Sequence, residues 1–181
     1  MSCEGNENTS VRQSYYDNGK IKESVTRKNG WRDGKTIAYY ESGEIHTEMD
    51  FLEGVIQGKH LVYYPNGKIK TEFFFIDGKA EGPFKGFRPD GTLKIEGLMR
   101  NGKETGLERI YYSNGRVKAI LSMENGKANG PFKEYYMTGQ KLLSGVRRHD
   151  KLDGRIVFHD SLSSDSMHVL YVKGKFVRKL L

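Results

Sequence analysis

Three glutamates that recur at a single spacing are the residues in this sequence best suited to chemistry. Glu48, Glu72 and Glu96 are 24 residues apart, and two carboxylates at a fixed separation form the acid and base of glycosidases. Opposite charges on neighbouring strands also pair with one another. The basic residues available for such pairing include Lys22, Lys70, Lys94 and Lys118. We interpret the glutamates as members of cross-strand ion pairs and predict that the protein is not an enzyme.

The histidines and the single cysteine do not follow a metal-binding pattern. The closest cluster joins His149-Asp150 to His159-Asp160, in two predicted loops ten residues apart, and we interpret it as solvated turn residues. One cysteine excludes a multi-thiolate zinc site. No glycine-rich phosphate loop leads from a strand into a helix, and no nucleophile motif is present. We expect neither a metal nor another cofactor.

The spacing of the glutamates is the period of nearly the whole chain. Six units of 24 residues follow one another without insertion, at 15–38, 39–62, 63–86, 87–110, 111–134 and 135–158. Glycine occupies position five and position twenty of every unit. Self-similarity at a fixed period of this length is the signature of a repeat architecture.

The glycine columns predict two turns in each unit. Asn18-Gly19 and Asn66-Gly67 at positions four and five are typical of two-residue type I′ hairpin turns, in which both residues have positive φ. Asp77-Gly78 and Asn125-Gly126 mark a second turn at positions fifteen and sixteen. The short segments between turns suit strands, and glycine at these intervals would interrupt any helix.

The predicted fold is therefore all-β. We expect an elongated single-sheet antiparallel β-meander, or solenoid, of six repeats with a C-terminal capping hairpin. Residues 1–14 form a polar flexible tail in this interpretation, and residues 159–181 form the hairpin, which turns at Lys173-Gly174. The position-one aromatics and the position-seven aliphatic residues would stack into buried ladders.

The second residue of each unit is the candidate binding residue. Successive strand side chains point to opposite faces, so a buried position one places position two on the outer face. The resulting stripe consists of Tyr16, Tyr40, Tyr64, Arg88, Tyr112 and Tyr136. These side chains either cover the edge of a thin sheet or form a binding face, since Tyr and Arg are favoured interface anchors. Stacking of single-stranded bases is a further alternative, but acidic residues crowd unit two and interrupt the positive charge.

The composition limits the partners without choosing one. The 181 residues carry a net charge of +7, which attracts acidic proteins, nucleic acids or lipid head groups. The sequence has no apolar run of about 18 residues for a membrane-spanning helix and no secretory leader. Cys3 follows a small residue and precedes a polar run. That arrangement resembles the mature end of a bacterial lipoprotein, which makes Cys3 a candidate lipidation site; the alternative is a chance cysteine.

The unit pattern resembles the variant MORN repeat, seen in Gly126-Lys127-Ala128-Asn129-Gly130-Pro131-Phe132-Lys133-Glu134-Tyr135-Tyr136 and less faithfully from Gly78 to Arg88. In bacteria such repeats typify the YwqK-type antitoxin or immunity family. The resemblance implies a protein that binds a protein partner, often a cognate toxin. We expect this protein to be a cytoplasmic, non-enzymatic monomer or weak homo-oligomer. The alternative that it implies is a scaffold or membrane-surface adaptor, anchored in the bacterial envelope as a lipoprotein.

Overall fold

The computed structural model describes residues 8–163 and 165–180, which form two compact units. The first unit contains residues 8–82 and 87–91, and the second contains residues 83–86 and 92–180. The described residues form strands and turns without a helix, and all of the strand pairs are antiparallel. The predicted all-β antiparallel meander is confirmed.

In the first unit the strands pair in the order of the chain, from β1 to β6, and a short β7 pairs with β6. Their bounds are β1 Thr9–Tyr15, β2 Ile21–Lys28, β3 Trp31–Tyr39, β4 Ile45–Leu52, β5 Val55–Tyr63, β6 Ile69–Ile76 and β7 Lys79–Ala80. Thr9 to Ser14 pair with β2, so the predicted flexible tail needs correction from Thr9 onward. Residues 1–7 lie outside the described residues.

The second unit continues the same order, from the middle of β8 to β16. The bounds are β8 Gly82–Phe87, β9 Leu93–Arg100, β10 Lys103–Tyr111, β11 Val117–Glu124, β12 Lys127–Tyr135, β13 Lys141–Arg148, β14 Lys151–His159, β15 Ser166–Val172 and β16 Lys175–Leu180. Strands β15 and β16 form the predicted C-terminal hairpin, with Val172 opposite Lys175.

The two turns of each repeat differ in type. At the second turn both central residues have positive φ, as at Asn125 (53°) and Gly126 (77°), which is the type I′ geometry. The first turn is longer, because β1 ends at Tyr15 and β2 begins at Ile21. Gly19 alone has positive φ in that turn, whereas the Asn18 carboxamide oxygen accepts a hydrogen bond from the Lys20 N–H. The prediction of type I′ geometry at the first turn was therefore wrong.

The glycine at position twenty produces an irregularity in every second strand. The register of β3 shifts between its pairs with Val25 and Arg27, and Gly34 in that segment has a φ of 92°. The shift amounts to two extra residues in β3, which form a β-bulge larger than the usual single-residue insertion. Because the shift is of two residues, the alternation of side chains relative to β2 is kept, and Thr36 is buried opposite Val25.

The core is centred on position twenty-two, in the middle of these strands. Thr36 in the first unit and Ile156 in the second are completely buried, and Phe132 is 2% exposed. The predicted position-one ladder was wrong, because Tyr15 is 57% exposed and the other position-one side chains are only half-buried. Position one adjoins the first turn, at the end of its strand, where fewer neighbours cover it.

Candidate interaction surfaces

The tyrosines of the predicted outer stripe are half-buried, and each hydroxyl donates a hydrogen bond to a main-chain carbonyl 23 residues further along the chain. The bonds are Tyr16 to Tyr39 (2.7 Å), Tyr40 to Tyr63 (2.6 Å), Tyr64 to Phe87 (2.9 Å), Tyr112 to Tyr135 (2.7 Å) and Tyr136 to His159 (3.4 Å). These bonds join the first turns of successive repeats within each compact unit. The column therefore has a structural role, and partner binding by it stays a prediction.

The faces of the same rings are occupied as well. The Lys118 ammonium lies 5.8 Å from the centroid of the Tyr112 ring, and Lys22 and Lys70 are placed in the same way over Tyr16 and Tyr64. Such cation–π contacts stabilise ring and lysine together. Arg88 is half-buried and supplies no hydroxyl to the column, and Cys3 lies outside the described residues.

The remaining first-turn residues join neighbouring turns in the same way. The Asn66 carboxamide donates to the Pro89 carbonyl at 2.8 Å, and the Lys68 ammonium donates to the Asp90 carbonyl at 2.6 Å. Asn18 and Lys20 make the equivalent bonds to Glu41 and Ser42. The repeated Asn, Gly and basic residue thus satisfy main-chain carbonyls of the following turn.

The three glutamates at the repeat spacing each have a partner. Lys35 lies 3.9 Å from Glu48, and Lys59 lies 2.8 Å from Glu72. The Tyr111 hydroxyl donates to Glu96 at 2.6 Å; burial and this carboxylate raise the pKa of Tyr111. The predicted cross-strand pairing is confirmed for Glu48 and Glu72, but with Lys35 and Lys59 and not with the lysines named from the sequence.

Two acidic or basic side chains lie toward the core without a hydrogen bond among the described residues. Burial raises the pKa of Glu108 to about 7, with the Glu104 charge contributing, and Glu108 is 6% exposed. Burial lowers the pKa of His60, and neither of its ring nitrogens has a hydrogen-bond partner. The described residues contain no group of three metal-ligating side chains.

Five of the exposed large apolar side chains of the first unit lie on strands beside its second turns. We call the apolar patch the set of five side chains Trp31 (64% exposed), Leu52 (56%), Val55 (43%), Phe74 (44%) and Ile76 (48%). Leu52 and Val55 are directly opposite each other, and Phe74 and Ile76 alternate along β6 and therefore share a face. Exposed apolar side chains grouped in this way mark a candidate interaction site.

The backbone beneath the apolar patch is fitted to its side chains. The Trp31 ring covers Gly54, where an added Cβ would lie 3.1 Å from ring atom Cε3. Trp31 and Leu52 line a cavity of about 560 Å³ together with Asp33, Glu53, Lys28 and Asn29. Trp31 is thus held in place by the turn of the next repeat while most of its surface stays open to solvent.

Sequence reasoning missed the apolar patch, although a signal was present. Four of its residues occupy positions fourteen and seventeen, on either side of the second turn. The same positions hold charged residues in units four and five: Arg100, Lys103, Glu124 and Lys127. A search for invariant positions does not reveal the apolar patch. A comparison of the residue types at equivalent positions of different repeats would have found the patch.

Four segments of the chain match the sequence model of the MORN repeat variant: residues 9–29, 32–53, 56–77 and 104–125. Each match spans a β-hairpin, and three of the four lie in the first unit. The two segments whose sequence most resembles the repeat pattern described above, 78–88 and 126–136, lie outside the matched segments. A comparison with curated proteins gives no match.

Proposed function

We propose, from four segments that match the MORN repeat variant, that the protein is a non-enzymatic repeat scaffold that binds a protein partner through the apolar patch. The observation that carries the proposal is the patch itself, with Trp31 64% exposed at its end. Tryptophan is the residue most enriched at the energetic centres of protein interfaces. In the first unit the equivalent turns bring apolar side chains together where other repeats have charges.

The surroundings of the apolar patch define the chemistry of the partner. Acidic residues follow the same strands and turns: Asp33, Asp50, Glu53 and Asp77. Asp33 already accepts a hydrogen bond from the Glu53 N–H, and Asp77 accepts one from Gln57. Three lysines lie opposite residues of the patch: Lys28 opposite Trp31, Lys59 opposite Phe74 and Lys79 opposite Ile76. We therefore expect a partner surface whose apolar anchors are flanked by charged side chains of both signs, because complementary charges fix register and accelerate association.

The finer proposal is that the partner is a toxin and that binding occludes its active cleft. Its support is the resemblance of the repeat pattern to the YwqK-type antitoxin family, together with the exposed apolar patch on the first unit. It predicts that the purified protein inhibits its partner stoichiometrically. A partner without toxic activity would leave the scaffold proposal standing and exclude the antitoxin form.

The test compares partner binding by the wild-type protein and a Trp31→Ala/Leu52→Ser variant. A partner recovered with the wild-type protein is purified, and its Kd is measured by isothermal titration calorimetry. We expect the double variant to lose at least about 2 kcal/mol of binding free energy, the range of interface hot spots. Leu98→Ser/Leu107→Ser is the matched control, because these exposed leucines lie in the second unit. Equal affinity for the wild-type protein and the Trp31 variant would contradict the proposal.

A further inference from the structure

The second turns of the second unit carry a row of basic side chains that the proposed function does not use. Position seventeen is lysine in four successive hairpins, and we call the basic row Lys103, Lys127, Lys151 and Lys175 together with Arg100 and Arg148. All six residues are exposed. In the first unit the corresponding side chains are four residues of the apolar patch together with Lys28 and Lys79, so the two surfaces arise largely from the same positions of the repeat.

Two hairpins of the basic row place like charges opposite each other. Lys103 is paired with Arg100, and Lys151 is paired with Arg148. Like charges directly opposite on neighbouring strands are destabilising. Arg148 has a counter-ion in Asp153 at 2.7 Å, but among the described residues no ion pair engages the four lysines. The fold therefore tolerates a repulsion that an anionic ligand would relieve.

The surface around part of the row is concave, and the stem of one of its lysines is packed. Lys127, Arg148, Lys151 and Lys173 line a cleft of about 700 Å³. The Lys151 side chain packs against Gly174, where an added Cβ would lie 3.3 Å from the Lys151 Cβ. A lysine whose aliphatic stem is packed presents its ammonium group to solvent in a restricted position.

The spacing of the row defines the shape of the ligand. Strands lie about 4.8 Å apart, so lysines on every second strand recur at about 9.6 Å. A peptide in the polyproline II conformation has three residues per turn and rises about 3.1 Å per residue, which places every third side chain on one face at about 9.3 Å. Carboxylates at every third residue of such a peptide match the lysine row.

We propose that the basic row binds an extended acidic protein segment that carries a carboxylate at every third residue. Phe176 follows Lys175, but no other Phe, Tyr or Trp adjoins a residue of the row, so the row has no series of rings on which successive nucleic acid bases would stack. Glu124 and Asp153 interrupt the positive charge, and this mixed pattern favours discrete carboxylates over the uniform charge of a phosphate backbone. The inference names a second surface and does not depend on the apolar patch.

The test uses two fluorescein-labelled ten-residue peptides of one composition, followed by fluorescence anisotropy with the full-length protein. One carries glutamate at every third position, with proline and serine between, and the other carries its four glutamates in one block. We expect the spaced peptide to bind about tenfold more tightly, as charge complementarity depends on register. A phosphodiester oligonucleotide and phosphatidylserine vesicles are tested as competitors.

The decisive variant is Lys103→Glu/Lys151→Glu, which converts two like-charge pairs into ion pairs. We expect its Tm to rise while affinity for the spaced peptide falls about tenfold. Lys85→Glu/Lys133→Glu changes the net charge equally at exposed positions of the same unit and should retain binding, as should Trp31→Ala. Equal binding of the two peptides, an equal loss in the control variant, or stronger binding of the oligonucleotide or vesicles would overturn the proposal.

Discussion

At the scale of single residues, the repeated tyrosines show how one hydroxyl can define the spacing of a repeat. Each donates to a carbonyl in the following first turn, and a basic residue or a histidine lies over four of the five rings. Every residue has a main-chain carbonyl, so any residue type can accept this bond. The bond therefore constrains the identity of the tyrosine and not the identity of the acceptor residue. This explains why the tyrosine recurs while the residues around it vary.

Removal of one hydroxyl tests this role. Tyr112→Phe keeps the ring and its contact with Lys118 but loses the bond to the Tyr135 carbonyl. We expect the free energy of unfolding to fall by about 0.5 to 1.5 kcal/mol, measured by urea denaturation. Tyr15→Phe is the control, because that hydroxyl is exposed and bonds only to Gln13 among the described residues. Unchanged stability of Tyr112→Phe would contradict the structural role.

The buried Glu108 makes stability depend on pH. Its pKa is raised from 4.5 to about 7 in the folded protein, so between these values the folded state binds more protons than the unfolded state. Stability from this group is therefore complete below about pH 4.5 and is lost as the pH rises through 7. We expect Glu108→Gln to remove this loss and to be the more stable protein at pH 8, by about 1 to 3 kcal/mol.

Thermal unfolding at several pH values between 4.5 and 8 measures the effect. Glu124→Gln is the matched control, because Glu124 is exposed and should leave the pH profile of the wild-type protein unchanged. A constant difference in stability between Glu108→Gln and the wild-type protein across this range would show that Glu108 does not titrate as described.

Prediction from single residues succeeded where the backbone conformation requires a particular residue type. It failed where packing alone determines the residue. Glycine at position twenty is required by a positive φ, so its column revealed the period. Position twenty-two has no such constraint: its members include Thr36, Glu108 and Ile156. No apolar column therefore marks the core, and the more uniform aromatic column at position one was mistaken for it.

At the scale of elements, the pairing of large and small side chains determines how neighbouring strands fit. Gly145 on β13 lies opposite the buried Phe132 of β12 and faces Ile156 of β14, whose Cδ1 would lie 2.5 Å from an added Cβ. The strand can lie between two large core side chains only because this residue has no side chain.

Substitution at this glycine tests the fit. We expect Gly145→Ala to lower the free energy of unfolding by about 1 to 3 kcal/mol, as overpacking does. Ile156→Val removes the Cδ1 methyl, so the double variant should be more stable than the sum of the single effects predicts. Additive effects in chemical denaturation would show that the two positions do not meet.

The turns illustrate what a dipeptide can and cannot predict. Asn-Gly at the second turn, as at Asn125-Gly126, has the two positive φ angles expected of it. At the first turn the same dipeptide lies in a five-residue loop, where Asn66 is needed for its side-chain bonds to Lys68 and Pro89. The length of the loop decides whether Asn-Gly forms a type I′ turn or lies in a longer loop. That length depends on where the flanking strands end, which the sequence did not reveal.

At the scale of the whole molecule, one repeat pattern provides two surfaces of different chemistry. Positions fourteen and seventeen flank every second turn. In the first unit they hold four of the five apolar-patch residues with Lys28 and Lys79, and in the second unit they hold the basic row with Glu124. The fold fixes where these side chains lie, and the sequence of each repeat selects their chemistry. Variation at the turns leaves the core and the first-turn hydrogen bonds intact.

Both surfaces are built from the same 24-residue repeat. Deletion of one whole repeat within the second compact unit is the sharpest test of this modular construction. Deleting residues 111–134 joins Ile110 to Tyr135 in register, whereas deleting 111–130 removes 20 residues and breaks the register. We expect the first variant to retain a strand-rich circular dichroism spectrum and a cooperative thermal transition, with a lower Tm, and the second to lose the transition in this region. Loss of folding in both, or equal stability of both, would contradict the claim.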